Sequence, residues 1–274
     1  MSGFVNYENK RVVVTGCSSG VGEAAARLLR NLGAEVHGLA RHRPEGLELA
    51  AFTAMDLRDP VSIDAAVERL GGARIDALFH CAGLPTTCPP LDIFKVNYIG
   101  ARRLTDRLLP QMPEGGAVVS VSSLAGMGWQ RRTEVLRELV DLSSYEEAEA
   151  WAAAKLAAGE HPYVLSKEAL IFWTLLAAAS TIQRGVRMNC TVPGPITTPF
   201  LDQELKINPV AMIDTVTRPI NRRSSPEEQA APLVFLNSDA ARFINGAAVP
   251  VDGGFSGAVA CGVIDLAKAF GGGA

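Results

Sequence analysis

The stretch Arg11-Val-Val-Val-Thr-Gly-Cys-Ser-Ser-Gly-Val-Gly22 runs from a β-branched segment straight into glycines. Val12, Val13 and Val14 show no apolar–polar alternation, which is the pattern of a parallel strand covered on both faces. The glycines allow a tight turn and a close approach of backbone to a pyrophosphate, whose charge free N–H groups at a helix start would stabilise. Val21, Ala25, Leu28, Leu29 and Leu32 then recur at helical spacing, and Gly33 supplies a stop signal. With a second strand predicted at 35–40, the unit reads as a dinucleotide-binding turn. The same residues also spell G-x-S-x-G from Gly16 to Gly20, the nucleophile elbow of hydrolases. That fold needs an acid and then a histidine downstream, whereas the last histidine here is His161. An elbow on the first strand would also lack upstream units for its oxyanion loop. Nucleotide binding is the expectation, and hydrolysis is not.

Outward from this unit the rhythm repeats. Further strands are predicted at 51–55, 76–81, 117–121, 186–192 and 247–251, with helices near 61–70, 91–110, 161–184 and 226–238. Strands alternating with helices over residues 1–274 predict one α/β domain, a Rossmann-like doubly wound parallel sheet of about seven strands. Two segments, about 124–160 and 195–224, offer no strand. In the first, Val135, Leu136, Leu139 and Val140 form a helical stripe, and Ser144-Tyr-Glu-Glu147 is a capping box opening a second helix to about Leu156. Loops and inserts on such a scaffold are where substrate specificity is expected.

Composition narrows the function. Lys and Arg number 26 against 29 Asp and Glu, so no basic excess favours a nucleic-acid partner. The five cysteines are odd in number, with no C-x-x-C and no zinc-like spacing, and read as reduced thiols. No metal site is expected. The amino terminus lacks a signal pattern, and the longest apolar run, 169–179, is too short to span a bilayer. A cytoplasmic protein without a membrane partner is expected.

Tyr163-Val-Leu-Ser-Lys167 carries the chemistry. On a helix, positions four apart share a face, so a phenol and an ammonium project to one side. A nearby cation lowers a tyrosine pKa, as a general acid/base for a carbonyl–alcohol pair requires. Ser122-Ser123 follows the fifth strand, at the sheet edge where ligands bind in such folds. Asn97 lies on the preceding helix.

The ordered set resembles the short-chain dehydrogenase/reductase family over nearly the whole chain. It comprises T-G-x-x-x-G-x-G at 15–22, Asp56, Cys81-Ala82-Gly83, Asn97, Ser123, Tyr163/Lys167, Pro193-Gly-Pro-Ile-Thr-Thr198, Asn245-Gly246 and Val251-Asp-Gly-Gly254. The long step from Ser123 to Tyr163 resembles the bacterial branch containing 3α-hydroxysteroid dehydrogenase/carbonyl reductase and coniferyl-alcohol dehydrogenase. The family's usual Asn-Ala-Gly is altered, with Cys81 in the Asn position that normally ties neighbouring strands.

The resemblance implies a NAD(P)-dependent alcohol dehydrogenase or carbonyl reductase. Tyr163 would exchange the proton, Lys167 would lower its pKa and hold the ribose, Ser123 would bind the substrate oxygen, and Asn97 would position a water. The cofactor would be held by Gly16, Ser18, Ser19, Gly20, Val21 and Gly22, by Arg41, by Asp56 and Leu57, and by Cys81, Ala82 and Gly83. Tyr163, Lys167, Pro193, Gly194, Ile196 and Thr198 would complete its site. Ala40 stands where NAD enzymes carry an acid, and Arg41 follows it, so NADP(H) is expected in preference to NAD(H); Arg43 would add charge. Met127, Trp129, Phe200, Leu201 and Met212 are expected to wall a hydrophobic substrate, an aryl alcohol, terpenoid or steroid. A homodimer or homotetramer is implied, with 169–179 or 131–158 as the contact. The alternative is a catalytically silent dinucleotide-binding or scaffold protein, which would usually lack the tyrosine or lysine.

Overall fold

The computed structural model describes residues 4–266. The strands are β1 (Arg11–Thr15), β2 (Glu35–Ala40), β3 (Ala51–Ala54), β4 (Ala77–His80), β5 (Ala117–Val121), β6 (Arg187–Pro193) and β7 (Ala248–Val251). They form one parallel sheet in the order β3-β2-β1-β4-β5-β6-β7. The direction of winding therefore reverses between β1 and β4, which opens a crevice at their carboxyl ends.

Both faces of the sheet are covered. Val12 and Val14 join a core layer that includes Leu29 of α1 (Gly20–Asn31), whereas Val13 points into a larger core on the opposite face. The first face is closed by α1 packing on α10 (Pro226–Asn237), which starts with the Ser225/Glu228 capping box. The other face is closed by α2 (Pro60–Arg69), α4 (Gly100–Leu108) and α7 (Pro162–Thr181). By length and composition α7 could cross a membrane, a test its 169–179 segment did not predict it to pass, but it is mostly buried at the centre of the fold. Its Phe172 ring lies under Trp129 and Arg137, so the 169–179 stretch is covered within the chain itself.

The predicted helix at 91–110 is an unbroken helical run whose pitch changes in the middle. It divides into α3 (Pro90–Phe94), a π-helical turn over Lys95–Ile99, and α4. A π turn inserts an extra residue per turn and commonly marks a functional position; Asn97 sits in its middle. The insert forms the two helices read from its stripe and capping box, α5 (Thr133–Val140) and α6 (Tyr145–Ala157). They pack against α7 and α3. Two short helices, α8 (Pro199–Glu204) and α9 (Val210–Thr215), build the 195–224 segment, and α11 (Phe255–Ala260) follows β7.

Candidate active site

A cavity of about 890 Å³ opens at the carboxyl edge of β1, β4, β5 and β6. Its floor is backbone. Gly16 and Gly20 have φ of +66° and +56°, and a Cβ on Gly16 would stand 2.7 Å from the Ala82 backbone. At Gly22 a Cβ would stand 2.2 Å from the Gly16 carbonyl oxygen, so only glycine lets α1 begin this close to the loop. Gly22 itself is not on the cavity wall, in contrast to Gly16, Ser18, Ser19, Gly20 and Val21; it packs the loop instead. Ser19 makes no side-chain cap to α1, whereas the starts of α2, α6, α7, α8 and α10 are all capped by a side chain. The first-turn N–H groups of α1 are thus left for an anion, and the cradle fits a dinucleotide pyrophosphate.

The strand tie does not use the Cys81 side chain. The Thr15 hydroxyl accepts from the N–H groups of Cys81 (3.1 Å) and Ala82 (3.2 Å) and donates to the Phe79 carbonyl (3.4 Å), clamping β1 to β4. The Cys81 side chain packs against Ala24, Ala25 and Ala230, and burial pushes its thiol up to about 12.

Ala40, Arg41, Asp56 and Leu57 all line the far end of the cavity. Arg41 is exposed. Arg43 does not join it: its guanidinium lies 5.5 Å over the Phe52 ring. The Asp56 carboxylate is gripped by Arg58, whose Nη2 is 2.6 Å from Oδ2, and Arg58 also reaches Asp92 at 3.0 Å. That fork holds the Asp56 carboxyl below the usual carboxylate range. Sequence reasoning missed Arg58, because nothing in its local pattern shows that it bridges two segments.

At the centre stand Ser123, Tyr163 and Lys167. The imidazole of His161 caps the start of α7, accepting from the Val164 N–H at 3.3 Å, and Pro162 occupies the first turn. One turn separates the phenol from the ammonium, and Lys167 Nζ lies 5.6 Å from the Tyr163 ring centre. Nζ donates to the Val121 carbonyl at 2.9 Å. Ser123 stands close enough to the Tyr163 phenol to act on its pKa. The expected lowering of the phenol does not occur in this geometry. Burial pushes Tyr163 up to about 12, opposed by Ser123 and reinforced by the Glu204 carboxylate. Burial pushes Lys167 down to about 8. Desolvation is the largest cause at both groups.

Asn97 is 2% exposed and lies behind the cavity wall, not on it. Its Oδ1 accepts from the Leu84 N–H at 2.8 Å, and its Nδ2 donates to the Leu84 carbonyl and to Ser166 Oγ, both at 3.3 Å. Asn97 thereby ties the segment after β4, with Gly83, to the helix that carries Tyr163. Pro193, Gly194, Ile196 and Thr198 line the wall beyond β6, and Thr198 caps α8. The later motif residues hold the frame: Asn245 accepts from Met188 N–H at 2.9 Å, and the Asp252 carboxylate accepts from Gly254 and Ser256 N–H.

The substrate end is apolar. Phe200, Leu201 and Met212 line it as expected, joined by Leu84, Val164, Ile213 and Val216. Met127 and Trp129 do not line it; they pack with Ile171, Cys190 and Val192 beneath the insert. The motifs gave no pointer to Thr86, Glu204 or Asn208, which supply polar groups there; the spacing of Phe200 and Glu204, four apart on one face of α8, was the available signal.

Two family models match, described as short chain dehydrogenase over residues 10–133 and enoyl-(acyl carrier protein) reductase over 139–256. The chain is 39% identical to coniferyl-alcohol dehydrogenase of Pseudomonas sp. strain HR199 over 90% of this chain and 97% of that one. It is 32% identical to 3-alpha-hydroxysteroid dehydrogenase/carbonyl reductase of Comamonas testosteroni, over 89% of this chain and 95% of that one. The crystal structure of 3-alpha-hydroxysteroid dehydrogenase from Pseudomonas sp. B-0831 complexed with NADH superposes with a TM-score of 0.78 at 29% identity, covering 93% of this chain and 100% of that one. A shared sheet order, a glycine cradle fit for a pyrophosphate and relatives matched almost end to end agree on one conclusion: the chain belongs to the short-chain dehydrogenase/reductase family of nicotinamide-dependent oxidoreductases.

Proposed function

We propose that the protein interconverts a bulky hydrophobic alcohol with its ketone or aldehyde, with Tyr163 as the proton-transferring group. The observation that carries this reading is the meeting of Ser123, Tyr163 and Lys167 in a cavity that is glycine-floored at one end and apolar at the other. Relatives named for coniferyl alcohol and for hydroxysteroids support the substrate class. A bound nicotinamide would supply the hydride acceptor or donor. The chain's own residues handle the oxygen. The Ser123 hydroxyl donates to the substrate oxygen where charge develops. The Tyr163 phenol, protonated at its raised pKa, gives its proton to that oxygen in reduction; in oxidation it takes one back, and Lys167 offsets the cost of the phenolate. Asn97 is a positioning residue for α7, and Ile196 and Thr198 would orient the carboxamide.

The loop 16–22, Asp56, Leu57, 81–83 and 193–198 would hold the rest of the cofactor. The lack of a carboxylate at Ala40 and the exposed Arg41 beside it support NADP(H) over NAD(H), since a guanidinium binds a 2′-phosphate where an acid would repel it. A cytoplasmic homodimer or homotetramer is supported by the family resemblance alone; a monomer at micromolar concentration by sedimentation velocity would overturn the assembly.

Tyr163→Phe tests the central assignment. Turnover of aryl alcohols should fall by about 10²-fold or more while cofactor affinity stays within a few-fold. Retention of more than about a tenth of the activity would remove Tyr163 from this role. A kcat/KM for a small polar ketone equal to that for aryl or polycyclic ketones would overturn the substrate class.

A further inference from the structure

The substrate end of the cavity is apolar except at one place. Glu204, the last residue of α8, lines it while only 8% exposed. A buried carboxylate is costly unless hydrogen bonds hold it, and three donors do so. Oε1 accepts from the Thr86 N–H at 2.5 Å, while Oε2 accepts from Thr86 Oγ1 at 2.7 Å and from Asn208 Nδ2 at 2.8 Å. A carboxylate offers about four acceptor positions. One remains, on Oε1, on a side chain that faces the cavity.

Its place along the substrate is set by α8. Phe200, four residues earlier on the same face, has its ring centre 6.0 Å from that of Tyr163. One helical turn adds about 5.4 Å. Glu204 therefore lies about one turn along α8 from the ring that meets Tyr163, on the same cavity, so a substrate group held by it is a different one from the reacting oxygen. It still acts on the centre electrostatically, since its charge raises the Tyr163 phenol. The cationic residues of the far wall, Arg41 and Arg58, belong to the opposite end of the cavity. A strap joining α8 to the segment after β4 could be built from a neutral amide. A negative charge does more: it attracts a hydroxyl donor and repels a second carboxylate.

We infer that Glu204 is a specificity-determining residue, selecting substrates that carry a phenolic or second alcoholic hydroxyl distal to the reacting carbon and rejecting those with a carboxylate there. The inference rests on the reaction proposed above. It is tested with cinnamyl alcohol, 4-hydroxycinnamyl alcohol and 4-carboxycinnamyl alcohol, using wild type, Glu204→Gln and Thr86→Val. Both kcat/KM and Kd for the enzyme–cofactor complex are measured for each. In wild type the hydroxylated alcohol should lead the unsubstituted one by about tenfold or more, as a hydrogen bond to a charged group allows. In Glu204→Gln that lead should shrink to about threefold or less, the carboxylated alcohol should improve about tenfold, and the alkaline limb of the pH profile should move to lower pH. Thr86→Val keeps the charge and should keep the lead.

If Glu204→Gln lowers all three alcohols in parallel, with their ratios unchanged within about twofold, the residue is a strap only and the inference fails. If Thr86→Val collapses the lead as Glu204→Gln does, it fails in the same way. Wild type binding all three but turning over none would sink the reaction proposed above, while the Kd ratios would still decide the role of Glu204.

Discussion

The two walls of the cavity are made of different material. The cofactor wall is backbone: glycines at 16 and 20 with Gly22 packed behind them, the 81–83 turn and an uncapped helix start, held by Thr15. The substrate wall is side chain: Phe200, Leu201, Glu204 and Met212 on two short helices that no strand supports. A backbone wall has fixed shape and tolerates no added atom. A side-chain wall is reshaped by any substitution, so one scaffold serves many alcohols while holding one kind of cofactor.

That contrast can be broken most directly at Gly22. Its Cβ would meet the Gly16 carbonyl at 2.2 Å, so Gly22→Ala should weaken cofactor binding by about 100-fold or more, or unfold the loop. Met212→Ala, on the other wall, should shift substrate KM and leave cofactor affinity within about twofold. Fluorescence titration of the reduced cofactor compares them; wild-type affinity in Gly22→Ala would refute the contrast.

Lys167 stands where the walls meet and carries the cost of that position. Its pKa falls from 10.5 to about 8 on burial, so below pH 8 the folded chain holds a charge it would rather shed. The unfolded state binds the extra proton between those values, so stability rises with pH across that window. Lys167→Met should therefore abolish turnover and yet raise stability at pH 7, by on the order of 3 kcal/mol at most. The gain should vanish between pH 8 and 10.5. A thermal-melt series in pH checks it, and a variant less stable than wild type at pH 7 would contradict the cause assigned.

Ala40→Asp addresses the far end. It should weaken NADP(H) about tenfold or more and strengthen NAD(H). Wild type already favouring NAD(H) tenfold would show that Arg41 does not read the phosphate.

The smallest expected effect is the most informative about the insert. Tyr145 of α6 is buried, and its hydroxyl donates 3.1 Å to the Leu57 carbonyl, beside Asp56. The insert thus also braces the cofactor wall. Tyr145→Phe removes one hydrogen bond worth about 1 kcal/mol and should weaken cofactor affinity about fivefold without changing kcat at saturation. An unchanged Kd with a lowered melting temperature would confine Tyr145 to packing.

All seven strands lie within two residues of where the apolar runs put them; the five inner strands are buried on both faces and write that burial into their composition, whereas the edge strands β3 and β7 are only partly buried. The insert helices were equally legible, since the Ser144/Glu147 capping box is a local device. Contacts between distant segments were not. An apolar period over 91–110 carries no trace of the π turn at Asn97. Met127 and Trp129 had the right chemistry for a substrate wall, but they face the core under the insert. Arg58 and Glu204 earned their places only when folding brought Asp92 and Thr86 to them. Ser123, Tyr163 and Lys167 were readable as a set, and the structure brings them to one cavity; the direction of the tyrosine's pKa was not readable, since burial is a tertiary quantity.

Cys17, in the glycine loop, carries a consequence for inheritance. A Cβ on Gly38 of β2 would stand 2.6 Å from its sulfur and 2.6 Å from a Leu49 methyl. The thiol, fully buried and pushed up to about 11, serves as filler for the groove that Gly38 leaves. The loop and the neighbouring strand are therefore locked as a pair. A lineage drifting to a larger residue at 38 must first make room at both 17 and 49, so position 38 should rarely change alone.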